Sequence, residues 1–109
     1  MGSFLKRWDA FRTEILGFMA DYDLILSPVA PDIAPLYRSK YVPTNMFSYT
    51  IPYSLTGNPC VVVRAGSSHE GLPIGVQVIA QNWHDDIALR GAHAIERALG
   101  GWRPASVVG

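Results

Sequence analysis

The stretch Tyr53–Ala80, YSLTGNPCVVVRAGSSHEGLPIGVQVIA, constrains the fold most, because it carries a helix stop, a strand, a turn and a second strand in one run. Gly57 follows Leu55-Thr56 where a helix end takes up left-handed backbone, and Asn58-Pro59 then pushes the chain into extended geometry. Cys60-Val61-Val62-Val63 is a short apolar run rich in β-branched side chains, the pattern of a strand covered on both faces. Gly66 to Gly71 supplies turn chemistry, and Ile74-Gly75-Val76-Gln77-Val78-Ile79 is a second β-branched run. The simplest pairing of the two is an antiparallel hairpin.

Helical periodicity flanks this unit. Phe4, Trp8, Phe11, Ile15, Phe18, Met19 and Tyr22 recur at steps of three and four, which predicts a helix starting near Ser3 with a broad apolar stripe that needs a partner surface. Asp21 and Asp23 close the pattern, and Leu24 to Ser27 read as a short buried strand stopped by Pro28. Pro28, Pro31, Pro35 and Pro43 make the connection up to Met46 irregular. Thr44 or Asn45 is placed to cap a short helix holding Phe47 to Leu55, which Pro52 bends or delays. Asp85 and Asp86 mark the amino terminus of a last helix, whose stripe of Ala88, Ala92, Ile95 and Leu99 runs to Gly100-Gly101. Periodicity ends at Trp102, so residues 103–109 read as a loose tail.

With 109 residues the chain holds one domain at most, spanning 1–109. Its 49% hydrophobic and 17% charged residues make it apolar for its size, as expected if other protein covers part of its surface. Nine basic residues balance nine acidic ones, so charge provides no footprint for nucleic acid or anionic lipid. The single cysteine, Cys60, excludes an internal disulfide and a multi-cysteine metal site, and is compatible with a cytoplasmic protein. No apolar run approaches the roughly 20 residues of a membrane helix, and Lys6, Arg7 and Asp9 stand where a signal peptide would have its apolar core. The expectation is a soluble protein with no nucleic-acid or membrane partner. Met1-Gly2-Ser3 reads equally as a native start or a cloning remnant.

Few residues invite chemistry. Ser67-Ser68 after Gly66 echoes a serine nucleophile, but the base at hand, His69, is its neighbour in a turn, so turn residues are the sufficient explanation. His69, His84 and His93 have no i, i+4 pairing and make no metal pattern with Glu70, Asp85 and Asp86. His84 is read at a strand-to-helix junction, with Trp83 packing and Asp85 capping. Cys60 opens an apolar strand, where a free cysteine is usually a small buried hydrophobe, and Arg64 is read as reaching solvent at the strand end. No catalytic residue, metal site or cofactor is assigned.

The strings LTGNPCVVVRAG, GLPIGVQVIA and NWHDD followed by a helix resemble the carboxyl-terminal end of the amidase signature family. YDLILSPVAP (22–31) is similar to that family's strand ending in a proline-punctuated loop, and FSYTIP (47–52) to the segment before its LTG turn. The likeness spans about residues 4 to 100. It implies an α/β fold, α+β at the scale of this piece: a mixed sheet with an antiparallel hairpin flanked by helices. It implies a serine hydrolase of carboxylic amides, working through a serine nucleophile, a bridging serine and a lysine. Those residues belong to the larger amino-terminal part, and neither Lys6 nor Lys40 is followed by a serine signature here. The resemblance therefore implies a piece that supplies scaffold and part of the acyl pocket and is inactive alone. Its partner would be the amino-terminal part of the same enzyme or a complementary subunit; in isolation, unpaired strand edges and uncovered helix stripes predict self-association, by default as a two-fold dimer. The alternative is a non-catalytic split-gene subunit or a repurposed interaction module. Residues 45–54 correspond to the acyl side of the pocket, which makes Phe47, Thr50 and Ile51 the candidate pocket residues. One branch of the family has an acidic residue near Phe47 for a glutamine-type substrate, so Phe47 argues for an apolar or aromatic acyl group.

Overall fold

The computed structural model describes residues 2–36 and 45–104. The two β-branched runs become β2 (Cys60–Ser67) and β3 (Pro73–Ala80), paired antiparallel as expected, and β1 (Leu24–Pro28) joins the far side of β3. The sheet order is β1-β3-β2, with every pairing antiparallel. The register steps from Arg64↔Gly75 to Gly66↔Ile74, leaving Ala65 as an extra residue that bulges the strand. Ser68 closes the turn through its backbone N–H to the Leu72 carbonyl at 2.7 Å, and its Oγ accepts the Leu72 N–H at 3.1 Å. These contacts account for Ser68 as a turn residue, whereas Ser67 is the last residue of β2, opposite Pro73.

Central position decides burial. In β3 the run Gln77-Val78-Ile79-Ala80 is buried on both faces, and the fully buried Val78 and Ile79 each contribute about 1.5–3 kcal/mol of apolar transfer. The both-faces expectation made for β2 is corrected, because β2 is an edge strand: Val61 and Val63 are half-buried and Val62 is 56% exposed. Pro28 is tolerated at the end of β1 because that strand is also an edge.

Alternation along β3 gives each face its cover. The α3 helix (Asp85–Leu99) lies on the Val76–Val78–Ala80 face, since a Cβ at Gly91 would stand 2.6 Å from Leu24 Cδ1 and 3.1 Å from Val78 Cγ1. Ala88 and Ala92 are buried there and Ile95 is half-buried, whereas Leu99 at the end of the stripe is exposed. Helix α3 starts after His84 without a side-chain cap, so the capping role expected of Asp85 is not found. Asp85 and Asp86 still favour that end through the helix dipole. Trp83 does not pack: it is 95% exposed, on left-handed backbone with φ 69°. Arg64 does not reach for solvent either; it turns back onto the carboxyl end of α3 and donates to the Leu99 and Gly101 carbonyls.

The other face of β3 carries Gln77 and Ile79 and meets the turns at 45–50, which lead into α2 (Ile51–Thr56). The late start is the outcome that Pro52 predicted, with Pro52 in the first turn, Thr50 at the cap position and no side-chain cap bond. Asn45 is thus not the cap, and Thr44 lies outside the described residues. Gly57 ends α2 at φ 76°, its N–H bound to the Tyr53 carbonyl at 2.9 Å. The first helix, α1 (Gly2–Met19), packs chiefly on α2, and Gln81 Nε2 donates to the Met19 and Tyr22 carbonyls at its carboxyl end. Only Met19 of α1 is buried; Phe4, Trp8 and Phe18 remain exposed, so the stripe lacks most of its partner surface. Of the expected tail, residues 105–109 lie outside the described residues.

Candidate functional site

Phe47, Thr50 and Ile51 stand at i, i+3 and i+4 in a run of turns that leads into a helix, a spacing that puts them on one face. Local bonds build that face. The Ile51 N–H and the Thr50 N–H both donate to the Phe47 carbonyl, at 3.0 and 3.1 Å, and Thr50 Oγ1 lies 3.2 Å from the same oxygen. Ser48 Oγ donates to the Asn45 carbonyl at 2.7 Å. Phe47 is 63% exposed and Ile51 53% exposed, while Thr50 is half-buried. Two large apolar side chains thus stand open beside a hydroxyl already committed to the backbone.

Buried amides hold both ends of this element. Gln77 Nε2 in β3 reaches the Tyr49 carbonyl at 2.7 Å, the Pro28 carbonyl at 3.2 Å and Ser27 Oγ at 3.3 Å. At the other end Thr56 Oγ1 bonds to Asn58 Oδ1, and Asn58 Nδ2 donates to the Ala80 carbonyl at 3.0 Å. Neither of these buried bonds is marked by a motif in the sequence. A glutamine inside a β-branched run was the available signal, since such a group is buried only with partners.

Cys60 corrects a further expectation: it is exposed at the sheet edge rather than buried. Its immediate surroundings still desolvate the sulfur enough to push the thiol pKa up, which keeps the reactive thiolate scarce at neutral pH. Tyr53 on α2 is also raised, first by burial and then by the charge that Cys60 would carry. Among the described residues no group of three or more His, Cys, Asp or Glu side chains could hold a metal ion. No helix among them is long and apolar enough to cross a membrane.

Two apolar concavities lie nearby. A cleft of about 510 Å³ runs between the Val29–Ala34 loop and Val62, Ile74 and Gly75, and a groove of about 450 Å³ is lined by Phe4, Arg7, Trp8, Phe11 and Leu55. Neither is lined by Phe47, Thr50 or Ile51. Trp8 closes one side of the groove by donating Nε1–H to the Leu55 carbonyl at 3.0 Å.

A three-stranded antiparallel sheet with α3 on one face and the turns that lead into α2 on the other, extended by a half-covered apolar helix, is an α/β piece that other proteins share. The family described as Amidase matches residues 3–89, and the chain belongs to this family, the amidase signature enzymes. It is 43% identical over 83 residues to a Glutamyl-tRNA(Gln) amidotransferase subunit of Wolinella succinogenes, covering 73% of this chain and 18% of that protein. It is 31% identical over 94 residues to human Fatty-acid amide hydrolase 2, covering 86% of this chain and again 18% of the relative. Among solved structures, the corresponding Glutamyl-tRNA(Gln) amidotransferase subunit of Thermotoga maritima superposes with a TM-score of 0.77 at 29% identity, covering 97% of this chain and 26% of that one. The 6-aminohexanoate cyclic dimer hydrolase complexed with substrate has the same fold, with a TM-score of 0.80 at 22% identity over 96% of this chain and 26% of its own. The chain therefore spans about a fifth of the length of the curated relatives it matches.

Proposed function

We propose that this chain acts as the carboxyl-terminal portion of an amide hydrolase, giving scaffold and one wall of the acyl pocket to a catalytic part that carries the serine nucleophile, bridging serine and lysine. The observation that carries this reading is the combination of family membership over residues 3–89 with a match to only 18% of the relatives' length. The exposed apolar faces support it. Phe4, Trp8 and Phe18 on α1, and Phe47 and Ile51 beside α2, are where a covering body would gain the most apolar burial. Phe47, Thr50 and Ile51 form the pocket wall in this reading, and their apolar character suits an aliphatic or aromatic acyl group. The partner is the amino-terminal part of the same enzyme or a complementary subunit, in the cytoplasm. Alone, the chain hydrolyses no amide and self-associates, most simply as a two-fold dimer.

The test is turnover of a panel of aryl amides and anilides by the purified chain, alone and joined to the amino-terminal part of a family member. Activity in the joined protein and none in the chain alone is the expected result. Turnover by the chain alone that disappears on Ser67→Ala or Ser68→Ala would overturn the reading. A stable complex with a separate partner that never hydrolyses an amide would favour the second reading, a non-catalytic split-gene subunit or interaction module; the long exposed stripe of α1 serves that role equally well.

A further inference from the structure

Gln77 is 2% exposed, in the middle of the central strand. A primary amide has two N–H bonds, and here three acceptors lie within 3.3 Å of Nε2, the shortest contact being the Tyr49 carbonyl at 2.7 Å. The three are not equivalent. Ser27 and Pro28 belong to β1, which backbone pairing already fixes to β3 from Leu24↔Ala80 to Pro28↔Val76. Tyr49 belongs to a turn whose other hydrogen bonds stay within residues 45–54. Among the described residues, the bond from Gln77 is the one hydrogen bond that ties this turn to the sheet.

We propose that Gln77 is a positioning residue for substrate specificity: its buried amide clamps the Tyr49 carbonyl and so sets the depth of the face that Phe47, Thr50 and Ile51 present to the acyl group. This rests on the pocket reading given above. Burial of the glutamine sharpens the effect, because its amide N–H groups lie away from water and have only these protein acceptors. Phe47 and Ile51 are more than half exposed, so side-chain packing alone restrains them little, and the backbone tether carries the positioning.

The test has two arms. In the isolated full chain, hydrogen exchange is compared for wild type, Gln77→Met, which keeps the shape and removes both N–H groups, and Gln77→Asn, which draws the amide back from Tyr49 by one methylene. Exchange at Ser48, Thr50 and Ile51 should speed up about tenfold, the loss of one buried hydrogen bond, while residues 61–64 and 76–79 keep their protection. In the wild type, the Gln77 side-chain amide protons should show a nuclear Overhauser contact to the backbone at Tyr49–Thr50, a measurement that no misfolded variant can compromise. In the second arm the full chain is joined to the amino-terminal part of a family amidase. Gln77→Met should raise KM for amides with apolar acyl groups about tenfold with kcat nearly unchanged, and Phe47→Ala added to it should cost little more. Loss of protection spread evenly over the sheet, an absent Overhauser contact, or a fall in kcat at constant KM would overturn the proposal. If the joined protein is inactive with the native residues, the pocket reading fails, and the exchange arm still shows whether the clamp exists.

Discussion

Arg64 in β2 holds the carbonyl of Gly101, 37 residues further along the chain, at 2.6 Å from its Nε. Its Nη2 takes the Leu99 carbonyl at 2.9 Å, so one guanidinium fork closes the carboxyl end of α3, where helix geometry leaves carbonyls without partners. Replacing Arg64 by Met keeps the stem and removes the fork. The chain should lose about 1–3 kcal/mol in urea unfolding, since both bonds are charge-assisted, the one to Gly101 part-buried and the one to Leu99 exposed. Arg64→Lys should recover only part of this, because an ammonium cannot span two carbonyls in a fixed plane. An unchanged urea midpoint in Arg64→Met would show the fork to be incidental.

The same residue shows what a sequence does and does not reveal. Strands β2 and β3 were legible as β-branched runs bounded by turn residues and helix α3 by its three- and four-residue stripe, and Gly57 and Pro52 mark the ends of α2 by their backbone limits. Phe47, Thr50 and Ile51 are singled out in the sequence only by the family resemblance of residues 45–54. Arg64, Asn58, Gln77 and Gln81 were not legible, because their partners are backbone carbonyls at Gly101, Ala80, Tyr49 and Met19. Every residue has a carbonyl, so no side-chain identity marks the acceptor. Edge position was hidden for a related reason: Cys60-Val61-Val62-Val63 reads as a central strand, and only the order β1-β3-β2 reveals that one side of it is unpaired.

Asn58 joins the end of α2 to the end of β3, accepting from Thr56 Oγ1 and donating to Ala80. Asn58→Ala should destabilise the chain by about 1–3 kcal/mol, since it strands buried polar partners. Asn58→Asp should be worse at neutral pH, because it sets a carboxylate against the Ala80 carbonyl in a buried site. Thermal melts of both variants at pH 7 check the order; Asp equal to or better than Ala would mean that water enters the site.

Gly91 lets α3 approach the sheet. A β-carbon there meets the end of the Leu24 side chain first, and that is the flexible tip of a half-buried side chain, so Gly91→Ala should fall within about 1 kcal/mol of wild type once the helix-propensity gain is counted. Gly91→Val adds branches that also press on Val78 and should cost about 1–3 kcal/mol. Adding Leu24→Ala to Gly91→Val should cost less than the sum of the two single changes, because the removed side chain is the one being struck. Strict additivity in a double-mutant cycle would place α3 elsewhere than over Leu24.

The raised pKa values of Cys60 and Tyr53 predict alkaline sensitivity of definite sign. Both groups are neutral when protonated, and burial in the folded chain favours that form, so their folded values lie above their unfolded ones. Where the unfolded state loses its protons first, stability falls as pH rises. The contribution of Cys60 is fully present below the ordinary thiol range, near about pH 8.5, and is lost as pH climbs from there through the folded value. Tyr53 extends the loss above about pH 10, and the thiolate at Cys60 opposes its ionisation further. Melting midpoints from pH 7 to 10.5 should therefore decline from pH 8.5 upward in wild type and less steeply in Cys60→Ala. Alkylation of Cys60 by iodoacetamide at pH 8 should be slower than that of a free cysteine despite its exposure, with its inflection above the usual thiol range. Faster alkylation, or a midpoint that rises with pH, would show that a positive group faces the sulfur and that desolvation is not the governing term.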